Sequence, residues 1–418
     1  MSTTERSRYD VIVVGGGPAG ATAAILLARA GRRVAVVEKA AFPRRKVCGE
    51  FISAATWPQL RRLGVIEELA AHTGPVVRRV GVFGGPSTVA TNMLAGSDAE
   101  GGRAVSREVL DTVLLRQALA VGATVWQPWQ VTGYSEVGGL HSCVVDSRDN
   151  GNRHILEAPL VGAAHGSWEA GPLPTQQFIK TIDKADVLGF KALFRGGALD
   201  DDLMPLIAFP GGYGGMVNTG EGRLSLSCCV RRDHLEMARV RYPGRPAGEA
   251  VLAHIVAHCA GAAQALSAAT LDGTWIGAGP IRPGIRSFAS GGVFAVGNAA
   301  AEAHPVVAEG ISIAIQSATL LAEALEPLWA EGPSSLTLVA AQRRYERAWR
   351  RNFAPRMRAS MLYANLFMRP WATRIAVAAM NRMPSLLSLG AAWSGKARSL
   401  QPVRQPRSTI VNPVGEDT

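Results

Sequence analysis

Three glycines and one acid form the chain's clearest chemical pattern: Gly15-x-Gly17-x-x-Gly20, followed by Glu38. Gly15 permits a tight turn, Gly17 lets a pyrophosphate approach the backbone, and Gly20 allows a helix to pack closely on a strand. A helix that begins at this turn offers unpaired N–H groups and its positive dipole end to a diphosphate. Glu38, eighteen residues past Gly20, is placed to accept hydrogen bonds from a ribose. An acid at that position disfavours a 2′-phosphate, so the expected ligand carries an unphosphorylated adenosine.

Ten residues further on, "RRKVCGEFIS" sets Cys48 between a basic run and Glu50. A cysteine there has three readings: a buried apolar filler, a metal ligand, or a thiol facing a cofactor or substrate. No second soft ligand has metal-site spacing. Arg45 and Lys46 beside it favour the thiolate, the form that reacts. The five cysteines, at 48, 143, 228, 229 and 259, form no C-x-x-C pair, so no disulfide framework or zinc site is expected.

The elements that must position these residues are legible around them. "VIVV" (11–14) reads as a strand covered on both faces, "ATAAILLARAG" as a helix closed by Gly31, and "RVAVVE" as the next strand, ending in Glu38. The strand, glycine turn, helix and acid occur in the order that the motif requires. Residues 106–125 read as an amphipathic helix beginning near Arg107. "VFAV" and "GISIAIQSATLLAEAL" read as a late strand and a long helix of small residues. Between them, 175–285 alternates strand signals with turns and has a helical stretch near 246–266.

The run "VGGGPAGATAAILLARAGRRVAVVEK" resembles the N-terminus of FAD-dependent oxidoreductases, in the group that holds aromatic hydroxylases, flavin halogenases and geranylgeranyl reductases. "SREVLDTVLLRQALAVGATV" is similar to that group's R-x-x-L-D-x-x-L helix, whose arginine approaches the flavin; Arg107 is the matching residue. "GGVFAVGNAAAEAHPVVAEGISIAIQ" resembles the late segment in which a G-D pair meets the ribityl chain, with Asn298 in place of the aspartate. "LVGAAHGSWEAG" is similar to the hydroxylases' G-A-D-G-x-x-S segment, with His165 where an aspartate meets flavin and nicotinamide. That departure puts direct use of NAD(P)H in doubt. "CGEFIS" and "FPGGYGGMVN" resemble two stretches of geranylgeranyl reductases, although the second lacks their aromatic-proline tail.

The resemblance implies FAD as cofactor and an α/β fold. A discontinuous Rossmann-type domain (1–80, 104–170 and 287–335) would carry an inserted mixed or antiparallel sheet for substrate (81–103 and 171–286). A helical region (336–400) and an extended tail (401–418) would follow. The cofactor residues so implied are Gly15, Gly17, Ala19, Gly20, Glu38, Lys39, Arg45, Arg107, Gly297, Asn298, Gly310 and Ile311. Phe209, Tyr213 and His304 fall on the substrate side, and Cys48 is the catalytic candidate. The expected substrate is an apolar small molecule, prenyl or polyketide-derived. Double-bond reduction or dehydrogenation competes with oxygen insertion. A halogenase, which needs a lysine facing the substrate, would draw on Lys180, Lys184 or Lys191, and a non-catalytic FAD-binding partner is a further alternative.

Charge adds one more expectation. The net +11 sits in residues 341–400, which hold twelve Arg or Lys and one acid, Glu346. Trp, Phe, Met and Leu interleave those charges. This pattern suits a solvated helical cap or a surface resting on anionic lipid, and not a diffuse nucleic-acid-binding face. The polar N-terminus, the scattered cysteines and the lack of a long apolar run point to the cytoplasm, with the basic region against the membrane's inner face.

Overall fold

The computed structural model describes residues 5–93, 101–167, 170–176, 181–393 and 400–403. The tail beyond Val403 therefore lies outside the described residues, as do Lys180 and Lys396.

Twelve strands and six helices position the site. The chain starts with β1 (Val11–Val14), α1 (Pro18–Arg29) and β2 (Val34–Val37). It crosses to β3 (Arg79–Gly84) and β4 (Ser87–Asn92), then returns through α2 (Arg107–Ala120), β5 (Thr124–Trp126) and β6 (Leu160–Ala163). Next come β7 (Val187–Arg195), β8 (Leu203–Phe209), β9 (Gly212–Gly220), β10 (Arg223–Arg231) and β11 (Thr270–Ile281). The last elements are β12 (Val293–Ala295), α3 (Gly310–Glu331), α4 (Ser335–Phe367), α5 (Pro370–Arg382) and α6 (Ser385–Trp393).

Strands β12, β6, β1, β2 and β5 lie side by side and parallel, with Val11 opposite both Leu160 and Val34. All four residues of β1 and of β2 are buried, because helices cover the sheet and leave no wet face. Helix α1 starts with Pro18 at its first turn and stops before Gly31, whose φ of 78° suits glycine. A Cβ on Gly20 would stand 1.8 Å from the Gly15 carbonyl oxygen, so only glycine lets helix and turn pack this closely. Helices α1, α2, α3 and α4 share one apolar core with this sheet.

The second sheet is mixed and has seven strands, in the order β11, β7, β10, β9, β8, β3, β4. Only β3 and β8 run parallel; the other pairs are antiparallel. One face packs on helices Arg232–Arg241, Ala247–His258 and Ala260–Ala265, the first of which lies where the residue pattern alternates strand and turn signals. The other face looks toward the parallel sheet across a cavity and joins a cluster with α4, α5 and α6. The fold is thus α/β, with a Rossmann-type half, an inserted mixed sheet as roof, and C-terminal helices over the roof's β3–β4 edge.

Candidate flavin and substrate site

A single cavity of about 740 Å³ lies between the two sheets. It is lined from the floor by the glycine turn, from the side by Arg44 and Lys46–Phe51, and from the roof by β8, β9 and β10.

The floor is a charged ring. Glu38, 3% exposed, accepts hydrogen bonds from the N–H groups of Gly16 (2.8 Å) and Ala40 (2.9 Å). Arg44 reaches Glu38 at 3.4 Å and Asp111 at 3.7 Å. Arg107 opens α2 behind Ser106, whose hydroxyl caps the helix by accepting from the Val109 N–H. Its guanidinium donates twice to the fully buried Asp111, at 2.7 Å each. Burial works against the charge of Arg107, but Asp111, and then the thiol of Cys48, hold its pKa above the usual value.

These groups fit a dinucleotide. Gly17 has space above it, bounded only by the Arg107 and Arg44 guanidinium groups, 3.8 Å from where a Cβ would be. Buried Arg44 Nε has no hydrogen-bond partner among the described residues. Gly17 precedes α1 with no side-chain cap, so its first N–H groups point into the same space. On the far wall α3 also begins uncapped by a side chain, and a Cβ on Gly310 would meet nothing within 4 Å. Two open helix N-termini therefore face one cavity. One suits a diphosphate, and the other suits the electron-rich edge of a flat ring.

Between floor and roof, the half-buried Cys48 accepts the Glu50 N–H at Sγ, at 3.4 Å. Glu50 holds a left-handed φ of 60°, which costs a non-glycine residue free energy. Its carboxylate pairs with Lys191 of β7; both residues are 3% exposed. It also accepts the Arg107 N–H at 3.3 Å, yet its Oε2 is buried with no hydrogen-bond partner among the described residues.

At the roof, Tyr213 of β9 and His304 share a hydrogen bond of 2.8 Å between the phenol oxygen and Nδ1. Burial lowers the His304 pKa to about 4, so the imidazole is neutral at ordinary pH. Burial, and then Cys229, raise the Tyr213 phenol well above 10. Nearby, Asn298 donates to Ser167 Oγ (3.0 Å) and Ser167 donates to Glu302 (2.8 Å). Burial raises the Glu302 carboxyl above its usual range.

The structure brings Gly15, Gly17, Ala19, Glu38, Lys39, Cys48, Arg107, Asn298, Gly310 and Ile311 onto this cavity, together with Tyr213 and His304. Gly20 and Gly297 stand behind its wall, where a Cβ on Gly297 would meet Ala19 at 2.8 Å. Two expectations are corrected. Arg45 turns away to the Thr274 carbonyl of β11, and its neighbour Arg44 faces the cofactor space instead. Phe209 is buried on the far face of β8 against His254, because Met204 and Leu206 set the cavity-facing parity of that strand. Sequence reasoning missed Glu302 as a site residue and the Glu50–Lys191 pair. The Glu50 signal was available, a lone acid beside Cys48, but its partner lies in a distant strand. Of the halogenase candidates, Lys191 points from the inner face of the roof but is held by Glu50 and does not line the cavity, and Lys184 is exposed away from it. Lys39 and Lys46 are the described lysines on the cavity wall.

Known proteins bear this arrangement out at the level of fold and family. The chain is 32% identical over 181 residues to conditioned medium factor receptor 1 of Dictyostelium discoideum, covering 40% of this chain and 35% of that one. It is 40% identical over 114 residues to a menaquinone reductase of Mycobacterium tuberculosis, covering 27% and 28% of the two chains. The chain thus spans about a third of the length of these relatives. A tryptophan 2-halogenase of Chondromyces crocatus is 26% identical over 83% of this chain and 66% of its own. Among solved structures, a myxobacterial chondrochloren halogenase has a TM-score of 0.74 at 22% identity, covering 93% of this chain and 91% of that one. A geranylgeranyl bacteriochlorophyll reductase-like protein of Thermoplasma acidophilum has a TM-score of 0.65 at 19% identity, covering 96% and 94%. Both share the fold. Residues 8–352 match the family model of the FAD-binding domain, and with the glycine turn and its arginines in place the chain belongs to that family and binds FAD.

Proposed function

We propose that this flavoprotein reduces a carbon–carbon double bond in an apolar prenyl- or polyketide-derived molecule. The observation that carries the reading is the roof of the cavity. It is apolar at Met204, Leu206 and Val217, and it presents a neutral Tyr213–His304 pair to the cavity that Cys48 also lines. When bound, FAD supplies the two-electron chemistry. The chain's own residues exclude water, orient the double bond and deliver a proton to the carbon that receives no hydride. Tyr213 is the proton donor in this reading; its phenolate regains a proton by relay through His304, which passes one from Nδ1 to the oxygen as Nε2 takes one up from solvent. Cys48, in contact with Arg107, is a second proton-carrying group on the wall.

The likeness to a menaquinone reductase and to a geranylgeranyl reductase-like fold supports this choice over oxygen insertion. The test is anaerobic single turnover of the dithionite-reduced protein with geranylgeranyl and menaquinone-type probes. A product heavier by two hydrogens, formed without oxygen, is the expected result. A product that needs oxygen and contains it would make the chain a monooxygenase. NADPH alone is expected to bleach the flavin far more slowly than dithionite does, since His165, bonded to Thr175 at 2.9 Å, occupies the aspartate's place.

A second reading, halogenation, is favoured by one observation: Lys46 reaches the cavity beside Cys48. The halogenase relatives give it weight. Chloride incorporation into an aromatic or pyrrole probe, with oxygen and reduced flavin, would select it.

A further inference from the structure

The three C-terminal helices carry an exposed outer face, most of it beyond residue 352, where the family match ends. Helix α5 is pressed onto the roof by Thr373 and Val377; a Cβ on Gly84 of β3 would stand 2.6 Å from Thr373 Cγ2. Its opposite side shows Trp371 and Ile375, each 63% exposed, with Arg374 and Arg382 also exposed. Trp371, Ile375 and Arg382 follow one another at helical spacing, so they form one stripe. The end of α4 repeats the pattern with Leu362 (62% exposed), Met361 and Arg358, and Arg369 follows in the turn before α5. Helix α6 buries Leu387 and Ser388 against the roof edge and turns Leu386 and Leu389 outward.

Charge identifies the partner. None of Arg358, Arg369, Arg374 and Arg382 pairs with a carboxylate among the described residues, and the sequence holds no Asp or Glu between Glu346 and Glu416. A large exposed apolar surface framed by arginines and one tryptophan matches the interfacial zone of an anionic bilayer. A nucleic-acid groove would call for the charge without the Trp, Ile, Met and Leu between. No helix of the described residues is long and apolar enough to cross a membrane, so the contact is peripheral.

The same helices pack directly against the cavity lining. Phe367, Val377 and Leu387 share one buried cluster with Met204, Leu206 and Tyr213, which line the substrate space. We infer that α5, with the flanking stripes of α4 and α6, docks the protein on an anionic phospholipid surface and sets the apolar cavity next to its lipid-like substrate. The nature of that cargo rests on the proposed reduction, whereas the docking itself is read without turnover.

The experiment is co-sedimentation of the full, flavin-loaded chain with phosphatidylcholine vesicles, with and without phosphatidylglycerol. Binding to the anionic vesicles, weakened by salt, is expected. Trp371→Asp with Ile375→Asp should reduce it by about tenfold or more, and Arg374→Glu with Arg382→Glu by about tenfold. Flavin content should stay unchanged in both, since neither pair touches the cavity. Equal pelleting with both vesicle types, or binding that survives both double variants, would overturn the inference. So would a dimer in the ultracentrifuge that the Trp371/Ile375 variant dissolves, because a second copy would then cover the face. Any of these outcomes leaves the anaerobic reduction assay standing as a separate test.

Discussion

The floor and the roof of the cavity solve different problems. At the floor, position is everything: backbone approaches of 1.8 and 2.4 Å to would-be Cβ atoms at Gly20 and Gly15 leave no alternative residue. The charges there are buried and mutually paired, Glu38 with Arg44 and Arg107 with Asp111. At the roof the wall is apolar, the thiols of Cys228 and Cys229 are pushed up by burial, and hydrogen bonds are few. A floor of this kind recognises one invariant ligand by geometry and charge. A roof of this kind selects by shape and holds a proton in a dry place.

The largest effect should come from the floor. Gly17→Val should fold yet purify colourless and inactive, because its Cβ approaches only the two flexible arginine tips, at 3.8 Å, while its γ carbons fill diphosphate space. Gly20→Ala, by contrast, should lose flavin and also about 1–3 kcal/mol of stability, because its Cβ runs into the turn. Flavin extraction and thermal melts separate the two. Equal behaviour would erase the distinction between ligand space and packing space.

Next is the strut between the halves. Lys191→Met should leave the Glu50 carboxylate buried and unpaired and cost about 3–5 kcal/mol, and adding Glu50→Gln should recover much of it. Chemical denaturation of the single and double variants measures this coupling.

At the roof, Tyr213→Phe should keep flavin but slow turnover by about a hundredfold or more. Stability gives an independent readout of its partner. Burial disfavours the charged imidazole of His304, so between pH 6.5 and about 4 the unfolded chain binds a proton that the folded chain refuses. That contribution to stability is present above pH 6.5 and is lost as the pH falls toward 4. His304→Asn should flatten this part of the melting profile relative to wild type, with the other buried histidines as a common background.

The smallest expected change is Cys48→Ser. Flavin content should hold and stability should fall by about 1 kcal/mol. Turnover should drop, because a serine hydroxyl lacks the polarizable sulfur that the wall presents to the flavin and substrate space. Unchanged turnover would make Cys48 part of the wall and nothing more.

The glycine turn and the acid of the floor are written in adjacent residues. Strand, glycine turn, helix and acid are contiguous, and each glycine's task follows from backbone sterics that need no distant partner. Arg107 was legible only through the likeness of its helix to the family's R-x-x-L-D-x-x-L pattern. The long α3 helix was readable from its run of small apolar residues. Tertiary structure decided what local pattern leaves open. Arg44 and Arg45 are chemically identical neighbours, and only the packing of β11 beside the loop sends one to Thr274 and the other to Glu38. The sequence marks "LIAFP" as a strand, but the parity that buries Phe209 away from the cavity depends on which face meets the helices. Pro355 lies inside α4, where propensity alone would break a helix; burial of Phe353, Arg356 and Met357 around it outweighs the lost hydrogen bond. The Glu50–Lys191 pair joins residues far apart in the chain through a buried contact, and no spacing rule reaches across that distance. Local backbone chemistry is written in neighbouring residues, whereas facing, pairing and burial arise only when the two sheets close on each other.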